Sequence, residues 1–138
     1  MLTDITPDYE NNAFNAKWFT LSPRKLGLEL SLILKKFYDG PIVTGIFRKR
    51  VYDPLLALAN HGRCPFCNER DASTLDHYLP KSIFPEFAIL PINLIPCCKD
   101  CNHEKGEHKA DSETKQLIHP YYDDIDSQQW LYASVTPS

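Results

Sequence analysis

Two cysteine pairs, Cys64-x-x-Cys67 and Cys98-x-x-Cys101, stand thirty residues apart in a chain of 138. Each pair sets two sulfurs on one tight turn, where they can share a single ion. The stretch between them is long enough for two strands and a loop to return the second pair to the first. Whatever else the chain does, residues 64–101 must close on themselves if these four thiols meet.

Zinc takes four tetrahedral ligands, and four thiolates satisfy it with no open position. Cys64, Cys67, Cys98 and Cys101 are therefore expected to hold a structural Zn2+ that shapes the fold and does no chemistry. A redox dithiol is the competing reading, but no thioredoxin-like strand-helix-strand pattern surrounds the pairs. Cys97 is the fifth cysteine, and spacing favours Cys98 as the ligand, leaving Cys97 as a core thiol.

The remaining composition describes an ordered protein of one domain, or one domain with an appendage. Hydrophobic residues make up 43% and aromatics 12%, enough for a real core. No apolar run reaches membrane-spanning length, and the start (MLTDITPDYENN) is acidic and polar. No membrane association is expected, and the cytoplasm is the expected compartment. The net charge of −3 hides an uneven distribution. Residues 17–109 carry 14 Lys and Arg against 10 Asp and Glu, a formal +4 between two acidic ends. That is compatible with a local phosphate-binding face.

Residues 1–21 read as an arm anchored by Phe14, Trp18 and Phe19. Ser22-Pro23 is a helix start. Leu26, Leu30, Ile33, Leu34 and Phe37 follow at helical spacing as far as Gly40-Pro41, which predicts a helix over 23–39 with one buried face. The triplet Arg48-Lys49-Arg50 can touch a phosphate backbone, although a solvated cluster is the commoner meaning. A second helix is predicted over Leu55–Asn60. Thr74–Leu79 and Ile92–Pro96 read as strands, joined by a Pro-containing loop over 81–91. A helix then follows from near Asn102 towards Lys109. Strand, loop, strand and helix make a small ββα unit clasped by a metal.

Within that unit stand Asp76-His77, Asn93 and Asn102. Histidine titrates near neutrality and suits a general base. Carboxylate and amide oxygens suit a hard divalent ion. Neighbouring strand residues point to opposite faces. Asp76 and His77 therefore serve one site only if the backbone turns there, or if they approach the substrate from different directions.

The run Cys64-x-x-Cys67, Leu75-Asp76-His77-Tyr78-Leu79-Pro80-Lys81-Ser82, Asn93-Leu94, Cys98-x-x-Cys101-Asn102 and Lys105 resembles the HNH endonuclease family, specifically its zinc-knuckle branch. The likeness covers residues 64 to about 108. It implies an α+β fold: a ββα-metal core with a four-cysteine structural zinc, preceded by a small helical N-terminal segment. It also implies a division into an N-terminal arm and helices (1–62), a zinc-bound nuclease core (63–110) and a C-terminal extension (111–138), which either ends the domain or starts a further module. By the same resemblance His77 is the general base, and Asp76 and Asn102 bind the catalytic Mg2+ or Mn2+. Asn93 holds the interstrand loop and helps orient the base. Lys105 contacts phosphate, with a solvated helix lysine as the alternative.

Asn102 stands where many family members have His, which bears on metal preference more than on activity. His103 is displaced by one residue and is expected to face elsewhere. His61, His108 and His119 receive no role. His119-Pro120-Tyr121 is similar to a segment following the motif in some HNH nucleases of bacterial antiphage systems. Leu117–Asp124 is expected either to pack back or to lead onward, and Ser138 carries no closing signal, as in a piece of a longer protein.

The expected function is hydrolysis of DNA phosphodiesters by a metal-dependent HNH endonuclease, with RNA left open as substrate. A protein partner in a larger assembly is a further expectation. The rival reading is a non-catalytic zinc ribbon that binds nucleic acid or protein and has no need of Asp76, His77 or Asn102. A toxin-like nuclease held by a partner is a third.

Overall fold

A computed structural model of the chain describes residues 5–124 together with 127, 129 and 134. Most of the expected 111–138 extension beyond 124 thus lies outside the described residues. The architecture is α+β, with short helices around one two-stranded antiparallel sheet. Strand β1 (Thr74–His77) pairs with β2 (Leu94–Cys97) in the register Thr74↔Cys97, Leu75↔Pro96, Asp76↔Ile95 and His77↔Leu94. Both strands are shorter than predicted. Pro91–Asn93 forms a 3-10 turn before β2, because Pro91 can start a helical turn but cannot donate to a ladder.

The N-terminal stretch is no loose arm. Helix α1 (Thr6–Phe14) buries Tyr9 and Ala13, and Trp18 follows from the next turn. Pro7 at the start of α1 supplies a preset φ where no N–H is needed. Tyr9, rather than Phe14, is the anchor. Phe14 is 76% exposed, while Tyr9 is fully buried against Trp18 and Phe87. Ile5, Tyr9, Ala13, Trp18, Tyr78, Leu79, Phe84, Phe87 and Ile95 form one hydrophobic core. Tyr38, Ile42, Tyr52, Leu75 and Leu94 form a second, so the sheet lies between them.

Helix α2 spans Leu28–Phe37 and does not begin at Pro23. The buried carboxylate of Glu86 takes the Arg24 N–H at 2.7 Å, which ties the preceding residues into an extended approach. Gly27 then turns the chain into the helix. The predicted buried face is also wrong: no residue of α2 is buried, and Leu28 is 77% exposed. Apolar spacing reports a face that can be buried, whereas burial needs a partner, and α2 meets mainly the turn that follows it, Tyr38–Ile42, and the short Pro85–Phe87 turn. Gly40-Pro41 does not stop the chain coiling. A wide turn over Tyr38–Ile42 accommodates Pro41, with Val43 N–H donating to Tyr38 O at 3.0 Å.

A second wide turn, Arg48–Tyr52, runs into α3 (Asp53–Leu56), which is shorter than the predicted Leu55–Asn60 and starts earlier. Arg48 is structural. It pairs with Asp53 at 3.2 Å, lies over the Tyr52 ring and donates to Val43 O. Helix α4 (Lys99–Lys105) begins three residues before the predicted start and ends four residues before the predicted finish. The Cys98 sulfur accepts the Cys101 N–H and so serves as its N-cap, and Gly106 at φ 52° ends it. Leu117–Asp124 packs back onto the domain: Tyr78 donates to Leu117 O at 2.6 Å and Tyr121 to Leu94 O at 2.9 Å. Among the described residues no helix is long and apolar enough to cross a membrane.

Candidate functional site

The four predicted thiols meet. The sulfurs of Cys64, Cys67, Cys98 and Cys101 all lie within 4.8 Å of one another, with Cys67 and Cys98 4.0 Å apart. Four sulfurs at about 2.3 Å from a tetrahedral zinc stand a little under 4 Å apart, so the cluster has the size to hold that ion. The backbone N–H groups of Arg70 and Glu69 aim at Cys67 and pull its thiol down to about 6. Burial, followed by hydrogen bonds from the neighbouring thiols, pushes Cys101 up. Four crowded thiolates require a compensating cation, and a metal supplies one. Cys97 lies outside the cluster, on β2. Burial pushes its thiol to about 12, as for an inert core residue.

A cleft of about 360 Å³ opens beside this cluster. Asp76, His77 and Asn102 all line it, together with Lys35, Lys81, Ser82 and His103. The two adjacent strand residues reach one cleft because β1 ends at His77, so side chains leaving opposite faces both border its end. His103 was expected to face elsewhere, yet it borders the same cleft. Helix α4 is only about two turns long and its exposed flank faces the opening.

His77 is buried, with its ring edge-on to Tyr38. Its Nε2 lies 2.9 Å from the carbonyl of Ala88. A carbonyl only accepts, so Nε2 carries the proton and Nδ1 keeps its lone pair. Burial lowers the ring's pKa to about 4, against a smaller upward pull from the Ala88 hydrogen bond. The imidazole is thus neutral at pH 7 and able to take a proton at Nδ1.

Asp76 is 6% exposed at its side chain, as is Lys105. The Lys105 ammonium stands 3.0 Å from Asp76 Oδ2 and 3.3 Å from Oδ1, and donates to His77 O at 2.6 Å. Lys105 is therefore neither a solvated lysine nor a free phosphate contact but one half of a buried ion pair. Oδ2 lies off the ammonium's hydrogen-bonding direction and has no hydrogen-bond partner among the described residues. Burial raises the Asp76 carboxyl, and Lys105 opposes that rise. A divalent ion would satisfy the orphaned oxygen, and the Asn102 amide borders the same cleft. The Asn102 Nδ2 otherwise makes only a long contact to Thr74 Oγ1, at 3.5 Å. The donor set fits a hard cation, with Lys105 as its standing competitor for the carboxylate.

Asn93 is fully buried and its amide is fully used. Oδ1 accepts from Leu79 N–H at 2.8 Å and from the Tyr9 hydroxyl at 3.0 Å. Nδ2 donates to Leu79 O and Phe87 O, both at 3.1 Å. It thereby joins the two ends of the loop whose Ala88 carbonyl receives His77. Of the other cleft cations, Lys81 pairs with Asp39 and lies over the Tyr38 ring. Lys35 has no ion-pair or hydrogen-bond partner among the described residues.

Two residues of this environment escaped the sequence reading. Tyr9 sat in a supposed arm, and His119 lay outside the motif and was given no role. His119 is fully buried, stacked on Trp18 and bonded to the Tyr9 hydroxyl at 3.0 Å. His61 and His108 stay outside the cleft, with His108 bonded to Lys115 O.

Comparison with known proteins places this arrangement beside two relatives. No known family profile matches the chain, and no solved structure matches it. The chain is 40% identical over 105 residues to Protein ea31 of Escherichia phage lambda, covering 73% of this chain and 36% of that protein. It is 32% identical over 108 residues to Septu protein PtuB of Bacillus thuringiensis, covering 74% of this chain and 40% of that protein. The chain thus spans well under half the length of these curated relatives.

Proposed function

We propose that the chain carries an HNH-type endonuclease site within a ββα-metal core, hydrolysing DNA phosphodiester bonds with His77 as general base. The observation that carries this reading is the state of His77. It is neutral, its Nε2 is committed to Ala88 O, and its Nδ1 is left for a water proton beside an orphaned carboxylate oxygen. Asp76 and Asn102 would hold a magnesium or manganese ion. That ion would supply the charge neutralisation on phosphate and leaving oxygen that the chemistry needs. His77 accepts the proton of the attacking water at Nδ1, Lys35 and Lys81 bind phosphate oxygens, and Asn93 keeps the loop that aims the base. The four-cysteine zinc is structural in this reading. It fixes the start of α4 and hence the position of Asn102, which directly follows Cys101. The core spans 63–110, with 1–62 packed upon it.

Similarity to Septu protein PtuB supports an antiphage-defence setting for that chemistry, within a longer protein or assembly in the cytoplasm. The test is cleavage of plasmid and single-stranded DNA, and of RNA, with Mg2+ or Mn2+, comparing wild type with His77→Ala. Cleavage lost in the variant supports the reading. Equal cleavage by both removes His77 as base, and none by the folded wild type favours the non-catalytic zinc ribbon.

A further inference from the structure

The motif lies within residues 64–108, but the hydrogen bonds that hold its base begin outside it. His119 Nδ1 accepts the Tyr121 N–H at 3.3 Å, which assigns the ring proton to Nε2. Nε2 then donates to the Tyr9 hydroxyl at 3.0 Å, and Tyr9 donates its own O–H to Asn93 Oδ1 at 3.0 Å, with Ile92 O a longer second acceptor at 3.3 Å. Asn93 Nδ2 holds Phe87 O, and the next carbonyl in the chain, that of Ala88, receives His77 Nε2 at 2.9 Å. Every donor in this series has an acceptor, and the shorter of the two Tyr9 O–H contacts runs to Asn93. His119, Tyr9 and Asn93 are all fully buried, so no water can stand in for a missing member. The His119 ring is clamped between Trp18 and Tyr78, and its backbone N–H is held by Asp123 at 2.7 Å.

We propose that Tyr9 and His119 are positioning residues for His77. Through Asn93 and the 87–88 carbonyls they fix the tautomer and aim of the base. Helix α1 and the 119–123 turn are on this account working parts of the site, although neither touches the cleft. The inference rests on the reading of His77 as base for its catalytic consequence, but not for its structural one.

The experiment uses the full chain with its zinc and compares Tyr9→Phe with Ala13→Gly. The latter loosens the same helix without touching the relay. Long-range 1H–15N correlation of the imidazoles reports the His77 tautomer, and cleavage assays report kcat and KM. Wild type and Ala13→Gly should show His77 in the Nε2–H form alone. In Tyr9→Phe the two tautomers should mix, and kcat should fall about tenfold with KM unchanged, as expected for a misaimed base. Should Tyr9→Phe lose its zinc, His119→Gln against His119→Ala decides, because only glutamine keeps a donor for Tyr9. A tautomer unchanged in Tyr9→Phe, or no recovery by glutamine over alanine, overturns the proposal. Absence of cleavage by the wild type sinks the nuclease reading alone, since the His77 tautomer still judges the relay.

Discussion

Replacing Lys105 by methionine probes the most exposed assumption in the site, that Asp76 is ionised because a buried ammonium keeps it so. Methionine retains most of the side-chain volume and removes the charge. Both partners are 6% exposed, so water cannot replace the lost cation. Breaking a buried pair from one side costs about 3–5 kcal/mol, and the 2.6 Å bond to His77 O is lost as well. At roughly 3–4 °C per kcal/mol for a domain near this size, Tm should fall on the order of 10–20 °C. The effect carries a pH signature. Burial already raises the Asp76 carboxyl and Lys105 opposes it, so without Lys105 it rises further. A carboxyl raised in the folded state contributes stability that is full below its unfolded value and lost as pH climbs through the folded one. Lys105→Met should therefore be less damaged at pH 5 than at pH 8. Adding Asp76→Asn to Lys105→Met should recover part of the loss, a coupling of at least about 1 kcal/mol. If Asp76 and Asn102 hold a divalent ion, saturating Mg2+ or Mn2+ should raise the variant's Tm more than the wild type's, because the bare carboxylate binds only when folded. Thermal denaturation by circular dichroism measures all of these. A Lys105→Met protein within about 1 kcal/mol of wild type at both pH values refutes the buried pair.

His77 sits near 4 and His119 near 3, both lowered first by burial. Their depressed values contribute stability present above the ordinary histidine range and lost as pH falls towards 4, so the Tm of wild type should drop between pH 6.5 and 4 and His77→Gln should flatten part of that slope. Cys67→Ser should lose zinc and unfold the domain rather than merely silence it, as zinc content with near-ultraviolet circular dichroism will reveal; a folded zinc-free variant contradicts this. Lys35, unpaired among the described residues, should matter if the cleft binds DNA: in Lys35→Gln the slope of log K for DNA against log salt should shrink by about 1, and in Lys36→Gln it should not.

The four-cysteine cluster and the Asp76–His77–Asn102 gathering were legible because both depend on local spacing. A CxxC turn brings its sulfurs together wherever it is placed, and residues 76–77 and 102 lie on the strand and helix that those turns join. Helix α2 shows the opposite case. Its leucines have helical period, yet period says nothing about whether a neighbour arrives to cover them. Lys105 illustrates the same limit at one residue, since a helix lysine reads as solvated until Asp76 is found within 3.0 Å of it.

By itself the sequence determined the two metal-type donor sets, one of sulfur and one of oxygen, and the chain order that ties Asn102 to Cys101. Donor chemistry belongs to residue types, and neighbours in sequence are neighbours in space. Only the tertiary structure decided that Tyr9 and His119, 110 residues apart, bond to each other and that Tyr9 reaches Asn93. Only it decided that Lys105 guards Asp76 and that Lys35 has no ion-pair partner among the described residues. Those outcomes depend on which buried polar groups find partners, and the completed packing of distant segments settles that.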